Sequence, residues 1–272
     1  PEARLLTMQI SRYHGLGNDF LIAFAETIPS QAPALARRFC DRSSPWGADG
    51  LVFGTPGTQN QYMFSLFNAD GGRAEVSGNG LACFGHALAK KLSVDDLSLE
   101  VDTTAGPRSI KVDGAANQDQ VMATVGMGKP QKGPDFAGLN LDLAGLGGGR
   151  MDSIDLGNPH LVIEVDNIDS VDLAQVGPAV EAFFMPTGCN VHIVQAQDAN
   201  ALTMRPWERG VGLTEACGTG ATATALVAHR WGLVGGEVAV SMPGGVANIT
   251  VEGEPTYRCR STFETTFEVT DG

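Results

Sequence analysis

Short apolar runs separated by turn residues dominate the first half of the chain. "FLIAF" at 20–24, "GLVFG" at 50–54 and "YMFSLF" at 62–67 are runs of five or six residues of mainly aliphatic, β-branched or aromatic character. Each is bounded by Gly, Asn, Asp or Pro, so each predicts a strand. "APALARRFCDR" at 32–42 changes period: Leu35, Phe39 and Cys40 fall on one side of a helix. Two later stretches are of another kind. "GLACFGHALAKKL" from Gly80 and "GATATALVAHRWGL" from Gly220 carry no Asp, Glu, Lys or Arg in their first eight residues. A helix apolar nearly all round is buried on all sides. The expected architecture is α/β (α+β), with each domain a mostly antiparallel curved sheet wrapped around one such central helix.

The two buried helices belong to an internal repeat. "EVSGNG" at 75–80 and "EACGTG" at 215–220 lie 140 residues apart, and the same offset recurs elsewhere. "GNDFLI" at 17–22 matches "GNPHLV" at 157–162, and "GADGLVF" at 47–53 lies over "TGCNVHI" at 187–193. Asn68 and Glu208 each stand nine residues before Ser77 and Cys217, and Gly72 matches Gly212. After one deletion the offset becomes 139, with "IKVDG" at 110–114 over "ITVEG" at 249–253. Coincidental turn chemistry is the competing explanation, but a constant offset at separated places points to duplication of a unit of ordinary domain size. Two pseudo-symmetric domains are expected, residues 1–127 and 128–262. The C-terminal strand 263–272 is a candidate addition to the first.

Composition narrows the class. With 43% hydrophobic and 18% charged residues, the 272-residue chain can bury a core. It has no apolar run of eighteen residues and no signal-peptide pattern, so no transmembrane helix is expected. Met8 is the expected natural start, with residues 1–7 an upstream extension or expression remnant. Five cysteines, an odd count without a CxxC pair, argue against a disulfide framework or a thiolate zinc site. They suit a reduced, cytoplasmic protein without a metal. The net charge of −13 disfavours nucleic acid and anionic membranes as partners. Thirty-five glycines sit in short loops, where backbone can approach something closely.

Each Gly-x-Gly opens a buried helix, where the first N–H groups lack intrahelical partners and the dipole is positive. Such an end binds an anion, although a glycine turn closing a strand–helix corner would look the same. Cys217 stands immediately before one of these ends, so its thiol is expected to be acidified and reactive. A twofold repeat puts position 77 across from it. Two acid/base groups on opposite faces of a carbon are what stereochemical inversion requires.

"HGLGNDF", "FNADGG", "SGNG", "GNPH", "GCN" and "WERGVGLTEACGTG" together resemble diaminopimelate epimerase, a member of the pyridoxal-phosphate-independent amino-acid racemase and epimerase superfamily. The resemblance spans residues 8–272. It implies two α/β domains with the active site between them, and no cofactor or metal. It also implies a homodimer and interconversion of LL- and meso-diaminopimelate in lysine and peptidoglycan synthesis. By resemblance, Cys217 is the second of two catalytic cysteines. Asn18, Asn68, Asn158, Asn190, Glu208 and Arg209 hold the distal amino-acid end of the substrate. Gly78, Asn79, Gly218 and Thr219 form the loops around the reacting carboxylate, and His160 and Glu208 tune the thiols.

The chain departs from the pattern twice. Gly50 stands where the family often has glutamine. Ser77 stands where the family has its first catalytic cysteine, and Cys83, six residues into the helix, is in the wrong register to replace it. A hydroxyl is a far weaker acid than a thiol, whose ordinary pKa is about 8.5. The leading reading of Ser77 is an engineered replacement that impairs activity. The alternatives are a native serine with retained activity, a diverged racemase, epimerase or lyase of the proline-racemase-like group, and a catalytically silent diaminopimelate-binding protein.

Overall fold

The computed structural model of the protein describes residues 7–57, 61–114, 117–140, 146 and 149–270. Six of the seven residues ahead of Met8 lie outside these, as do the last two of the chain. The chain divides into two compact units: residues 1–125 with 260–272, and residues 126–259.

The first unit contains strands β1 (Thr7–Gly15), β2 (Asn18–Phe24), β3 (Gly50–Pro56), β4 (Tyr62–Asn68), β5 (Arg73–Ala74), β6 (Leu97–Asp102), β7 (Arg108–Val112) and β8 (Gln120–Gly126). Helix α1 (Ala32–Phe39) follows β2, and helix α2 (Gly78–Leu92) follows β5. The last strand of the chain, β17 (Thr256–Thr270), begins in the second unit and ends in the first, where it pairs antiparallel with β1 from Thr7↔Thr270 to His14↔Thr262. Pairs β1–β17, β1–β2, β3–β4, β4–β5, β6–β7 and β7–β8 are antiparallel, and β2–β3 and β4–β6 are parallel.

Both faces of this sheet are covered, which explains why its strands read as continuous apolar runs rather than alternating ones. Residues 20–23 and 50–55 are buried without a break. Alternate residues Leu21, Ala23, Leu51 and Phe53 pack with Ala32, Leu35, Ala36 and Phe39 of α1. The opposite face receives α2, which lies against β1, β2, β3, β4 and β7. Every α2 residue from Gly78 to Ala89 is buried. Phe84 anchors it, with its ring 5.5 Å from Phe64 and 5.6 Å from Phe24. Gly85 lets the helix approach β7 closely; a methyl there would collide with Ile110 and Val112. The helix stops at Ser93, which adopts the left-handed conformation (φ 55°), with Lys90 and Lys91 in the last turn against the negative dipole end.

The second unit repeats this plan. It holds β9 (Gln131–Lys132), β10 (Met151–Asp155), β11 (Pro159–Glu164), β12 (Asn190–Asp198), β13 (Ala201–Glu208), β14 (Gly212–Leu213), β15 (Glu237–Met242), β16 (Gly245–Thr250) and the start of β17. Helix α3 (Leu173–Phe183) packs Val176 and Val180 on Leu161, Ile163, Val191 and Ile193. Helix α4 (Gly218–Arg230), buried from Gly218 to Ala228, lies on the other face against β10, β11, β12, β13, β15 and β16.

Strand registers carry the repeat residue by residue. The parallel pair Phe20↔Gly50 in β2–β3 becomes His160↔Asn190 in β11–β12. Leu51↔Phe67 becomes Val191↔Trp207, and Phe67↔Arg73 becomes Trp207↔Leu213, all at an offset of 140. Met63↔Asp102 becomes Thr203↔Ser241, so β4 keeps the offset while β6 has moved to 139. Leu99↔Ile110 and Val238↔Ile249 stay at 139. The deletion therefore falls between the central helix and the strand after it, where a loop absorbs it without disturbing either pairing.

Three histidines are buried in these cores: His86 on α2, His160 on β11 and His192 on β12, each 0% exposed. His86 Nε2 donates to the Gln118 carbonyl oxygen at 3.0 Å, and Nδ1 lies 3.1 Å from Ser261 Oγ. Burial, opposed by the Gln118 bond, lowers its pKa to about 4. A histidine depressed on folding takes up a proton when the chain unfolds, so stability falls as pH drops from the unfolded value of about 6.5 toward the folded one. Urea unfolding at pH 7 and pH 5 should show the wild type losing about 2 kcal/mol more than the non-titrating His86→Gln variant between the two conditions. An equal loss in both would mean that His86 is solvated or charged in the native state.

Candidate active site

The two central helices begin alike. Ser77 caps α2 in extended conformation (φ −143°, ψ 121°), and its Oγ accepts from the Gly80 N–H at 3.1 Å. Cys217 caps α4 at φ −134°, ψ 109°, and its Sγ accepts from the Gly220 N–H at 3.3 Å. The residue two places on is tied in each case to the asparagine that opens the strand hairpin. Asn79 Nδ2 donates to Asn18 Oδ1 at 2.6 Å, and Asn158 Nδ2 donates to Thr219 Oγ1 at 3.4 Å. Gly78 and Gly218, first residues of the two helices, are buried beside these caps. Cys83 Sγ is fully buried and faces Gly15 of β1.

In the first unit, an ion network holds the strand ends that carry Asn18 and Gly50. The Asp19 N–H donates to Asp49 Oδ2 at 2.8 Å, and the Asp49 N–H to the Asp19 carbonyl oxygen at 2.9 Å. Arg42 bridges both carboxylates at 2.6 Å, and Arg12 adds a contact to Asp19 at 3.0 Å. Gly50 sits against Leu66 and the Phe67 carbonyl oxygen, so a larger residue there would have to displace Leu66. Asn68 closes β4, its backbone bonded in both directions to the turn at Gly71 and Gly72.

The second unit solves the same bracing problem with an amide. Asn190, the counterpart of Gly50, donates from Nδ2 to the Pro159 carbonyl oxygen at 2.9 Å and accepts the Arg209 N–H on Oδ1 at 2.9 Å. It therefore pins β11, β12 and the end of β13 together, a duty the sequence did not reveal. Arg209 Nη1 donates to the Thr187 carbonyl oxygen at 3.2 Å. Its stem lies over Gly188, where any side chain would collide with it. Glu181 of α3, which sequence reasoning missed, accepts from Trp207 Nε1 at 2.7 Å and from the Gly210 N–H at 3.0 Å. It fixes the turn bearing Glu208 and Arg209. Its only signal in the sequence was a lone carboxylate on an otherwise uncharged helix.

Around Cys217 the electrostatics reverse the expectation of an acidic thiol. Burial raises its pKa well above the ordinary cysteine value, and the adjacent Glu208 carboxylate raises it further. The Thr219 hydroxyl and the Gly220 N–H pull the other way without prevailing. A helix end is worth a kilocalorie or so, whereas removing a thiolate from water costs several. Cys217 is 5% exposed, so desolvation decides. It rests as a thiol beside a carboxylate that can accept its proton, and Thr214 Oγ1 steadies that carboxylate at 2.6 Å. Behind them His160 is held below the ordinary histidine range by burial, with His192 and Arg209 contributing in the same direction. The buried Cys40, Cys189 and Cys259 are pushed up to about 12, chiefly by burial.

The structure thus brings together Asn158, His160, Asn190, Glu208, Arg209, Cys217, Gly218 and Thr219 in the second unit. It brings Asn18, Ser77, Gly78 and Asn79 together in the first. Chemically, the second unit offers a protonated sulfur and a base for it, while the first offers a hydroxyl in the matching place.

The family model described as diaminopimelate epimerase matches residues 10–133 and 153–263. The diaminopimelate epimerase of Methanothermobacter thermautotrophicus is 35% identical over 256 residues, covering 89% of each chain. That of Erythrobacter litoralis is 36% identical over 257 residues, covering 90% of each. Among solved structures, a hydroxyproline epimerase from Agrobacterium vitis aligns with a TM-score of 0.71 at 16% identity, over 99% of this chain and 93% of that one. A phenazine biosynthesis protein of the PhzF family from Bacillus anthracis gives 0.71 at 15% identity, over 97% and 99%. At such identities these likenesses speak for the fold alone; the sequence matches carry the assignment, and the chain belongs to the diaminopimelate epimerase family of isomerases.

Proposed function

We propose that the protein interconverts LL- and meso-diaminopimelate by cofactor-independent proton transfer, with Cys217 serving one face of the α-carbon and position 77 the other. The observation that carries this reading is the pair of matching helix caps, one of them a thiol in contact with Glu208. As an acid, the neutral Cys217 delivers its proton directly to the carbanion. As a base, it first passes its S–H proton to the Glu208 carboxylate, and the resulting thiolate takes the α-proton. The positive ends of the two central helices suit the reacting carboxylate, whose charge grows as the carbanion forms. Arg209 and the asparagines suit the distal ammonium and carboxylate.

Ser77 weakens the other half. We read it as a replacement at a position shaped for a thiol, one that impairs inversion. It equally favours a second reading, a binding protein that retains the ligand set without turnover. By resemblance we also assign the protein to the cytoplasm and to a homodimeric state. Among the described residues no helix is long and apolar enough to cross a membrane.

Proton–deuterium exchange and inversion, followed from each isomer, separate these readings. The chain as it stands should exchange the α-proton of one isomer through Cys217 with little inversion. Ser77→Cys should raise inversion by about 10²-fold or more, the usual contribution of a matched acid/base group. Equal inversion rates in the two forms would show that Ser77 is not the lost base. Exchange in neither form would favour the binding protein.

Arg209→Ala should abolish diaminopimelate binding measured by calorimetry, because it leaves a carboxylate and Glu208 without their cation. Lysine, which lacks the distal carboxylate, should bind far more weakly to the wild type. Unchanged affinity in the variant, or equal binding of lysine, would remove diaminopimelate as the substrate.

A further inference from the structure

We propose that His192 is a positioning residue for Cys217, acting through a directed hydrogen-bond chain that runs His192, His160, Asn158, Thr219, Cys217. The proposal rests on the reading of Cys217 as an acid/base group. His192 Nε2 lies 2.9 Å from His160 Nδ1, and His160 Nε2 lies 2.9 Å from Asn158 Oδ1. Asn158 Nδ2 donates to Thr219 Oγ1 at 3.4 Å, and that oxygen is 3.5 Å from Cys217 Sγ. Five side chains from β11, β12, the hairpin ahead of β11 and the start of α4 are thus joined in one line.

The proton positions along the line follow from its two ends. Asn158 Oδ1 only accepts, so the proton of His160 is on Nε2. His160 Nδ1 then needs a donor, and among the described residues His192 Nε2–H supplies it. The other nitrogen of His192, Nδ1, is buried and has no hydrogen-bond partner among the described residues. A bare ring nitrogen is the easier orphan to bury, since unpartnered buried N–H groups are rare. Every donor therefore points toward the sulfur. Thr219, receiving from Asn158, has its own hydroxyl proton left for Sγ, and with the Gly220 N–H it gives the thiolate two donors.

His192 is placed for this duty by packing. Val191 and Ile193 turn toward α3, so the strand's alternation turns His192 toward α4. There it meets Gly220, where a methyl would sit 2.6 Å from Nε2 and 3.0 Å from Cys217 Sγ. The second glycine of the loop thus makes room for the imidazole and the cap together. Neutrality of both rings preserves the direction, because a protonated ring would donate at both ends. Burial keeps His192 neutral, with a pKa lowered to about 3. The groups that face the line are Arg209 beside His160 and Glu208 beside Cys217.

Without the His192 donor, His160 is free to take its other tautomer and Asn158 to turn over. The Thr219 hydroxyl would then donate into the chain, away from sulfur. His192→Phe removes the donor at similar volume, whereas His192→Gln keeps an N–H in reach of His160. The first readout is the pH dependence of iodoacetamide alkylation at Cys217, located by peptide mass spectrometry and needing no substrate. The Phe variant should shift its midpoint upward by about one pH unit, the worth of one hydrogen bond to a charged group. The Gln variant should stay near wild type. Thr219→Val, which cuts the last link without touching the buried rings, should reproduce the Phe shift and stands in for it if the Phe variant does not fold. In α-proton exchange of diaminopimelate, the kcat of His192→Phe should fall about tenfold with KM unchanged. An unshifted midpoint in folded His192→Phe or Thr219→Val, or equal shifts for Phe and Gln, would overturn the proposal. Loss of exchange in the wild type with the alkylation shifts intact would overturn the substrate reading instead.

Discussion

The bond from the capping side chain to the N–H three residues into each central helix organises the rest of the molecule. It is the local solution to the orphan donors at a helix start and is worth about 1 kcal/mol in ordinary caps. Here it also fixes the position of the side-chain atom to which the proposed chemistry is assigned. Because α2 and α4 are buried along nearly their whole length, their starts do not drift. The sheets around them, with outer helices α1 and α3 sealing the far faces, hold each helix in one place. The strand ends that carry Asn18, Gly50, Asn68 and their counterparts are then fixed relative to the cap within each unit.

That dual role explains how position 77 can change without cost to the fold. Serine is among the preferred N-cap residues, and Ser77 Oγ accepts the Gly80 N–H as Cys217 Sγ accepts that of Gly220. The structural half of the duty survives. In the function proposed for this position the chemical half is lost, since a hydroxyl titrates far from any thiol. The two units have diverged in the same sense elsewhere. Glu208 beside Cys217 corresponds to Asn68, and the Asn190 brace corresponds to Gly50, whose place is taken by the Arg42–Asp19–Asp49 network. The pairing pattern stayed constant while ionisable groups were redistributed.

Much of this was legible beforehand. Turn residues flanking apolar runs marked the strands, and the uncharged stretches after each Gly-x-Gly marked the central helices. The offset of 140 carries over into the pairings, with His160↔Asn190 matching Phe20↔Gly50, because register is fixed by which face is buried. What sequence could not supply was the balance of opposing electrostatic effects. A cysteine at a helix start reads as acidified, yet Cys217 is too buried for that, and Glu208 lies against it only because a tight turn returns β14 alongside β13. Glu181 and His192 were missed for a related reason. Their partners lie on other elements, 26 residues away for Trp207 and 32 for His160, and no spacing rule connects them.

A buried neutral thiol is a better match to its task than an acidified one. Proton delivery to a carbanion needs a bound proton, and proton removal needs a thiolate basic enough to hold the proton it takes. A sulfur made strongly acidic by its helix would fail at the second step. Burial and Glu208 keep Cys217 basic, while Thr219 and the Gly220 N–H keep the anion within reach. Desolvation, usually an obstacle to ionised groups, here sets the working range of the pair. In the proposed mechanism the helix dipole is left to act on the substrate's growing negative charge rather than on the sulfur. The same partition explains the neutral histidines behind the site. A protonated imidazole there would favour the thiolate and bias the sulfur toward one protonation state.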